Sequence, residues 1–190
     1  MPLTTYTDAT PRITGADLSV TATGLCDPDG KTTTIKPKAT GDRRLPEIAA
    51  AVAEVSISLR MFQGERHLVV IEELPPARAN ALAILGMVHG AVRAELISRL
   101  MPYAVVPPAT LKAFATGKGN ATKPDMRMAL YKRTGLDIAD DNQVDAWWLR
   151  AAGMQALGHP VVDLPAAQVA RLDKVVWPTW TLGGEPEVAR

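Results

Sequence analysis

The sequence predicts an α/β domain with a mixed sheet, and three observations carry that prediction. Turn-punctuated β-type segments fill residues 13–36, short apolar runs stand at 68–71 and 103–106, and helical apolar spacing surrounds both runs. An antiparallel meander beside parallel strands reached through helices is what such an order produces.

The elements follow in turn. Residues 1–11 are polar, include Pro2 and Pro11, and read as a flexible leader. Residues 13–16 and 21–26 suit two tightly joined strands. Asp27-Pro28-Asp29-Gly30 supplies turn chemistry that returns the chain as a third strand over 31–36. From there Leu45, Ile48, Val52, Val55, Leu59 and Phe62 alternate steps of three and four, the period of an amphipathic helix that Gly64 can end. Leu68-Val69-Val70-Ile71 is a continuous apolar run, as in a strand buried on both faces, and Pro75-Pro76 stops it. An Ala-rich helix is expected over 77–100, with Leu82, Leu85, Val92, Leu96 and Leu100 on its apolar side. Residues 103–106 form a short strand ended by Pro107-Pro108. Pro124 suits the first turn of a helix over 125–134 that Gly135 closes, and 141–157 is the next helix. The main domain thus spans 12–158. The extension 159–190, with Trp177 and Trp180 among several prolines, either packs on the domain or is partly disordered.

At 190 residues, 47% hydrophobic and 22% charged, the chain suits one globular domain rather than a disordered one. A formal net charge of +1 does not mark a nucleic-acid binder; only local clustering would. Cys26 stands alone, which excludes an intrachain disulfide and a cysteine zinc cluster, and His67, His89 and His159 are scattered. The N-terminus lacks a basic region followed by an apolar core, and no apolar stretch approaches the ~20 residues that span a bilayer. A reducing cytoplasm and no membrane contact are expected.

Function is written in carboxylates that sit where a core wants apolar groups. Asp17 lies in Ile13-Thr14-Gly15-Ala16-Asp17-Leu18-Ser19, Glu72 ends the second apolar run, and Asp141 and Asp145 lie in Asp140-Asp141-Asn142-Gln143-Val144-Asp145-Ala146. Embedded acids are costly unless paired or metal-bound, so several that converge call for a cation. Each also has a plainer reading. Asp17 could bond its own turn, Glu72 could be neutralised by an arginine or a helix N-terminus, and Asp140 or Asp141 could cap a helix. Asp145, enclosed by Val144, Ala146, Trp147 and Trp148, has no such reading. Alternation along the strand sends Glu73 to the face opposite Glu72. Oxygen ligands suit magnesium, and two such ions about 4 Å apart can activate water and stabilise a leaving oxygen. Gly117-Lys118-Gly119-Asn120 lacks the spacing of a Walker loop.

Lys112, Lys118, Lys123, Arg127, Lys132 and Arg133 face the single acid Asp125 between Pro108 and Arg133. The small, polar stretch 116–123 within it reads as a loop that can lay lysines and backbone amides along phosphates. A solvated surface loop is the plainer alternative.

Taken together, these segments resemble the RuvC family of Holliday-junction resolvases, within the RNase H-like superfamily, and more closely its divergent phage-borne form. The first strand with Asp17, Val69-Val70-Ile71-Glu72, the stretch from Pro107 through Leu111-Lys112 and Gly117-Lys118-Gly119 to Lys123, and Asp141-Asn142-Gln143-Val144-Asp145-Ala146 match that family in order and spacing over 13–156. The resemblance implies an RNase H-like five-stranded mixed sheet flanked by helices and a homodimer that cuts four-way DNA junctions. It implies Mg²⁺ or Mn²⁺, two ions per site, held by Asp17, Glu72 and Asp145, with Asp141 or Asn142 at the fourth position. Lys112 and Lys123 match lysines that meet DNA phosphate, with Lys118 and Arg127 as further DNA contacts. The chain departs from the family in carrying Asn142 where an acid or His is usual, and in having Pro75 near the usual aromatic wedge. Hydrolysis of RNA–DNA hybrids on the same fold, and a non-catalytic DNA-binding or assembly role, are the competing functions.

Overall fold

The structure, a computed structural model, describes residues 10–56, 66–74 and 79–179, the side chains of 79 and 80 aside. Its frame is a five-stranded sheet in the order β3-β2-β1-β4-β5. The N-terminal meander comprises β1 (Arg12–Asp17), β2 (Thr23–Cys26) and β3 (Thr32–Ile35), all antiparallel neighbours. Between β2 and β3 the expected turn is closed by Asp27, whose carboxylate accepts from the Asp29 and Lys31 amides. β4 (His67–Glu72) pairs parallel with β1, and β5 (Tyr103–Val106) pairs parallel with β4.

Helices cover both faces because both faces of the inner strands are apolar. On β1 and β4, Ile13, Leu68 and Val70 join Trp148, Leu149 and Ala152 of α5 (Asp141–Ala156) in one core. Ala16, Val69 and Ile71 point the other way, into a second core with Ile48 and Val52 of α1 (Arg44–Ser56) and Val88, Val92 and Leu96 of α2 (Ala79–Ser98). The two-residue period of the strands sorts these side chains between layers.

Several expectations are adjusted. Leu59, Phe62, Gly64, Pro75, Pro76 and Trp180, like residues 1–9, lie outside the described residues. Leu100, expected on the apolar side of α2, stands past its end, 64% exposed and at φ 54. α2 also corrects the view that no stretch suits a bilayer: Ala81–Ser98 has the length and a mean hydropathy of 1.4. Val88, Val92 and Leu96 pack one side of it into the second core, while only 22% of that window is buried. An unexpected helix, α3 (Pro108–Thr116), follows β5 directly. Pro107-Pro108 does end the strand, but Pro108 occupies the first helical turn, where its missing N–H costs nothing. Leu111 and Phe114 then bury one side of α3. α4 (Lys123–Thr134) is closed by Gly135 in the left-handed conformation, as its sequence predicts.

Beyond Gly158 the chain returns over the α3 side. α6 (Ala166–Val169) and the 3₁₀ turn Ala170–Lys174 bring Leu172 into the α5 core, together with Leu164 and Val175. Cys26 is buried and free, its thiol pushed up to about 12 by burial.

Candidate active site

The site forms where three elements end. Alternation along β1 places Asp17 on the same sheet face as Ile13 and Gly15, and alternation along β4 places Glu72 with Leu68 and Val70. Ala16 pairs with Ile71 in the parallel ladder, so Asp17 and Glu72 are the next residues along adjacent strands. Both therefore leave the carboxyl-terminal edge of the sheet toward α5, the usual place for a ligand site in an open α/β sheet.

Two glycines let α5 come close enough. A Cβ on Gly15 would overlap the carbonyl oxygen of Ala146, and one on Gly24 would overlap that of Asn142. The start of α5 is then tied down. Asp140 caps it by accepting from the amides of Asn142 and Gln143, and its other oxygen accepts from Thr34 Oγ1 at 2.7 Å. Gln143 accepts from Thr32 Oγ1 and donates to Thr34 Oγ1, both at 2.8 Å. Asn142 Nδ2 donates to the Ala22 carbonyl at 2.8 Å. This lacing of α5 to the meander sets where Asp141 and Asp145, one turn apart, project.

Asp17, Glu72 and Asp145 share one electrostatic environment. Burial, then the charge of Asp145, raises Asp17 to about 7 against the pull of Lys123. Burial, then the charges of Asp17 and Asp145, raises Glu72 to about 8, opposed by Lys112 and Lys123. Burial raises Asp145 to about 6, with Lys123 opposing, Asp141 adding to the rise and Lys112 opposing again. Glu73, by contrast, is exposed, and its amide donates to the Val106 carbonyl.

The lysines are placed by helices packed on α5. Trp148 meets Phe114 of α3 edge-on with ring centroids 6.0 Å apart, and its Nε1 donates to the Met126 carbonyl of α4. That packing holds Lys112 on α3 near the acids. Lys123 opens α4, whose start is fixed by a capping box between Thr122 and Asp125. Its Nζ lies 3.7 Å from Asp141 Oδ2, with both side chains about half exposed.

The remaining expected residues are placed differently. Asn142 commits its amide nitrogen to the β1–β2 connection. Lys118 acts on Asp125 rather than on the acids of the site. Arg127 borders a cleft with Asp141, but Asp137 holds its guanidinium at 3.0 and 2.6 Å. Sequence reasoning missed the positioning roles of Gly15, Gly24, Thr32, Thr34 and Gln143. Asp140 was visible as a potential cap, and its cross-strand partners were not.

The donor set consists of carboxylates, which suit a hard cation such as Mg²⁺ or Mn²⁺ and not a thiophilic one. Among the described residues no group of three or more Asp, Glu, His or Cys stands close enough together, as placed, to hold a metal ion.

No protein-family model matches the chain, and no curated protein matches it. Solved structures do. A Thermus thermophilus RuvC structure superposes with a TM-score of 0.58 at 24% identity, covering 80% of this chain and 99% of that one. T. thermophilus RuvC in complex with Holliday junction substrate gives a TM-score of 0.60 at 23% identity, covering 87% and 98%. The chain therefore has the RuvC, RNase H-like fold over nearly the full length of those proteins.

Proposed function

We propose that the protein is a RuvC-type, metal-dependent endonuclease that hydrolyses phosphodiester bonds in branched DNA, with four-way junctions as its main substrate. The observation that carries this reading is the convergence of Asp17, Glu72 and Asp145 at one sheet edge, with Lys112 and Lys123 acting on the same group. Acids raised by burial and by one another are poor isolated anions and good ligands for a multivalent cation.

Asp17, Glu72 and Asp145 would hold the ions, two per site, and Asp141 is the better candidate than Asn142 for the fourth position because it is a carboxylate, whereas the Asn142 side chain is tied to Ala22 through Nδ2. Bound Mg²⁺ or Mn²⁺ supplies an activated water and a counter-charge for the leaving oxygen. Lys112 and Lys123 bring positive charge to the scissile phosphate. The ion pair of Lys123 with Asp141 is half exposed, so either group is open to a ligand that enters the site. The T. thermophilus complex was solved with Holliday junction substrate, which supports the choice of DNA. Exposed Ile84, Met87 and Ile97 along α2 offer an apolar surface for a homodimer, which would set two sites against two strands.

Incubating the protein with labelled four-way junction, linear duplex and RNA–DNA hybrid, in magnesium and in chelator, tests the reading. Magnesium-dependent cutting that prefers the junction is expected. Cutting of the hybrid alone, or binding with no cutting in either metal, would overturn it.

A further inference from the structure

Lys118 and the C-terminal segment belong to a cationic surface that the site above does not use. Two clefts flank the end of α3. One, between α3 and α4, is lined by Lys118, Lys132 and Arg133. The other, between α3 and the 3₁₀ turn Ala170–Lys174, is lined by Arg171 and Lys174. Gln168 joins the two. It is buried, its amide lies where a Cβ on Gly117 would come within 3.5 Å, and its Oε1 accepts from Arg133 Nη2 at 3.2 Å. Arg133 Nη1 also donates to the Asp163 carbonyl at 2.8 Å, so the C-terminal segment fixes this guanidinium in place. Lys118, Lys132, Arg171 and Lys174 are exposed. Two acids temper the surface: Asp125, which stays ionised while it caps α4 with Thr122, and exposed Asp173 between Arg171 and Lys174.

We propose that this surface, built from the end of α3, from α4 and from the C-terminal segment, is a second DNA contact that grips the phosphate backbone of a duplex arm outside the cutting site. It rests on the functional reading above. A whole-chain charge of only +1 means that such a concentration is not the overflow of a basic protein. The cations are split between clefts on two sides of one helix end, which suits a ligand with charges repeated along its length rather than a single anion. Helix α3 also carries Lys112 to the carboxylates, so a strand crossing the site is already led toward these clefts. Contacts of this kind position a duplex without reading its sequence.

The test is fluorescence-anisotropy titration of a four-way junction, in chelator and over a range of salt, with wild type and Lys132→Ala/Lys174→Ala. Both lysines are exposed and outside the cutting site, so folding is not at stake. The double variant is expected to flatten the log–log salt dependence by about 2, near 0.9 for each phosphate no longer neutralised. Its affinity should fall several-fold at low salt, and the difference should vanish on junctions with arms trimmed to a few base pairs. Unchanged affinity and slope, with or without lost binding to a polyglutamate peptide, overturns the surface. If wild type cuts the junction in magnesium while the double variant binds it unaltered, only the surface falls. If wild type neither binds nor cuts branched DNA, the functional reading falls with it.

Discussion

Asp17, Glu72 and Asp145 are carboxyl groups that the fold holds in a protonation-prone state, near 7, 8 and 6 against ordinary values of 3.8, 4.5 and 3.8. Between the ordinary and the raised value the folded chain keeps protons that the unfolded chain has lost, so stability falls as pH rises through that window. In chelator the melting temperature should therefore drop between pH 5 and pH 8, and Mg²⁺ should restore most of the loss at pH 8. Asp145→Asn should flatten the pH dependence in chelator; a melting temperature that rises with pH in wild type would refute this electrostatic account. Scanning calorimetry at fixed ionic strength reads all three. These acids were legible from sequence because an acid closing an apolar run is conspicuous. The engagements of Asn142 and Arg127 were not, since hydrogen-bond partners such as Ala22 and Asp137 are set by tertiary approach and leave no local pattern.

Element against element, the site depends on how closely α5 lies on β1. Gly15→Ala would set a methyl into the Ala146 backbone, which cannot yield without moving the helix that carries Asp145. A destabilisation of about 1–3 kcal/mol is expected, together with a loss of junction cutting beyond what stability explains. Gly153→Ala meets side chains rather than backbone, the Ile13 and Val70 methyls at 2.6 and 2.8 Å and Leu68 at 3.7 Å, so it should cost less and leave cutting nearer normal. Chemical denaturation paired with single-turnover cleavage compares the two; equal effects on cutting would mean that the α5–β1 distance does not set the site. Hydrophobic spacing made α1 and α2 visible, Pro124 and Gly135 marked α4, and turn chemistry made the meander visible. α3 was missed because Pro107-Pro108 is equally a strand stop and a helix start. What decides between them is burial of Leu111 and Phe114 against Trp148, which only the folded chain shows.

For the molecule as a whole, the proposed cutting of two junction strands calls for two copies of the chain. α2 exposes Ile84, Met87 and Ile97, and a dimer that covers them should dissociate in Met87→Asp/Ile97→Asp. Sedimentation should show wild type as a dimer and the variant as a monomer, and the monomer should nick a junction without resolving it symmetrically. A wild-type monomer that still cuts both strands in concert would argue against this arrangement. Apart from α3, the order of strands and helices as far as α5 was readable, because periodicity and turn signals survive in sequence. The return of the C-terminal segment over α3 was not, since Leu164, Leu172 and Val175 carry no regular spacing.

The central claim is that three half-buried acids form one metal-dependent cutting centre for branched DNA. Single-turnover cleavage of a four-way junction by Asp145→Asn, measured beside junction binding in the same magnesium buffer, tests it most directly. The account predicts a rate lower by at least ~10²-fold, the scale of losing one group that stabilises transition-state charge, with binding within a few-fold of wild type. Cutting at the wild-type rate would contradict it.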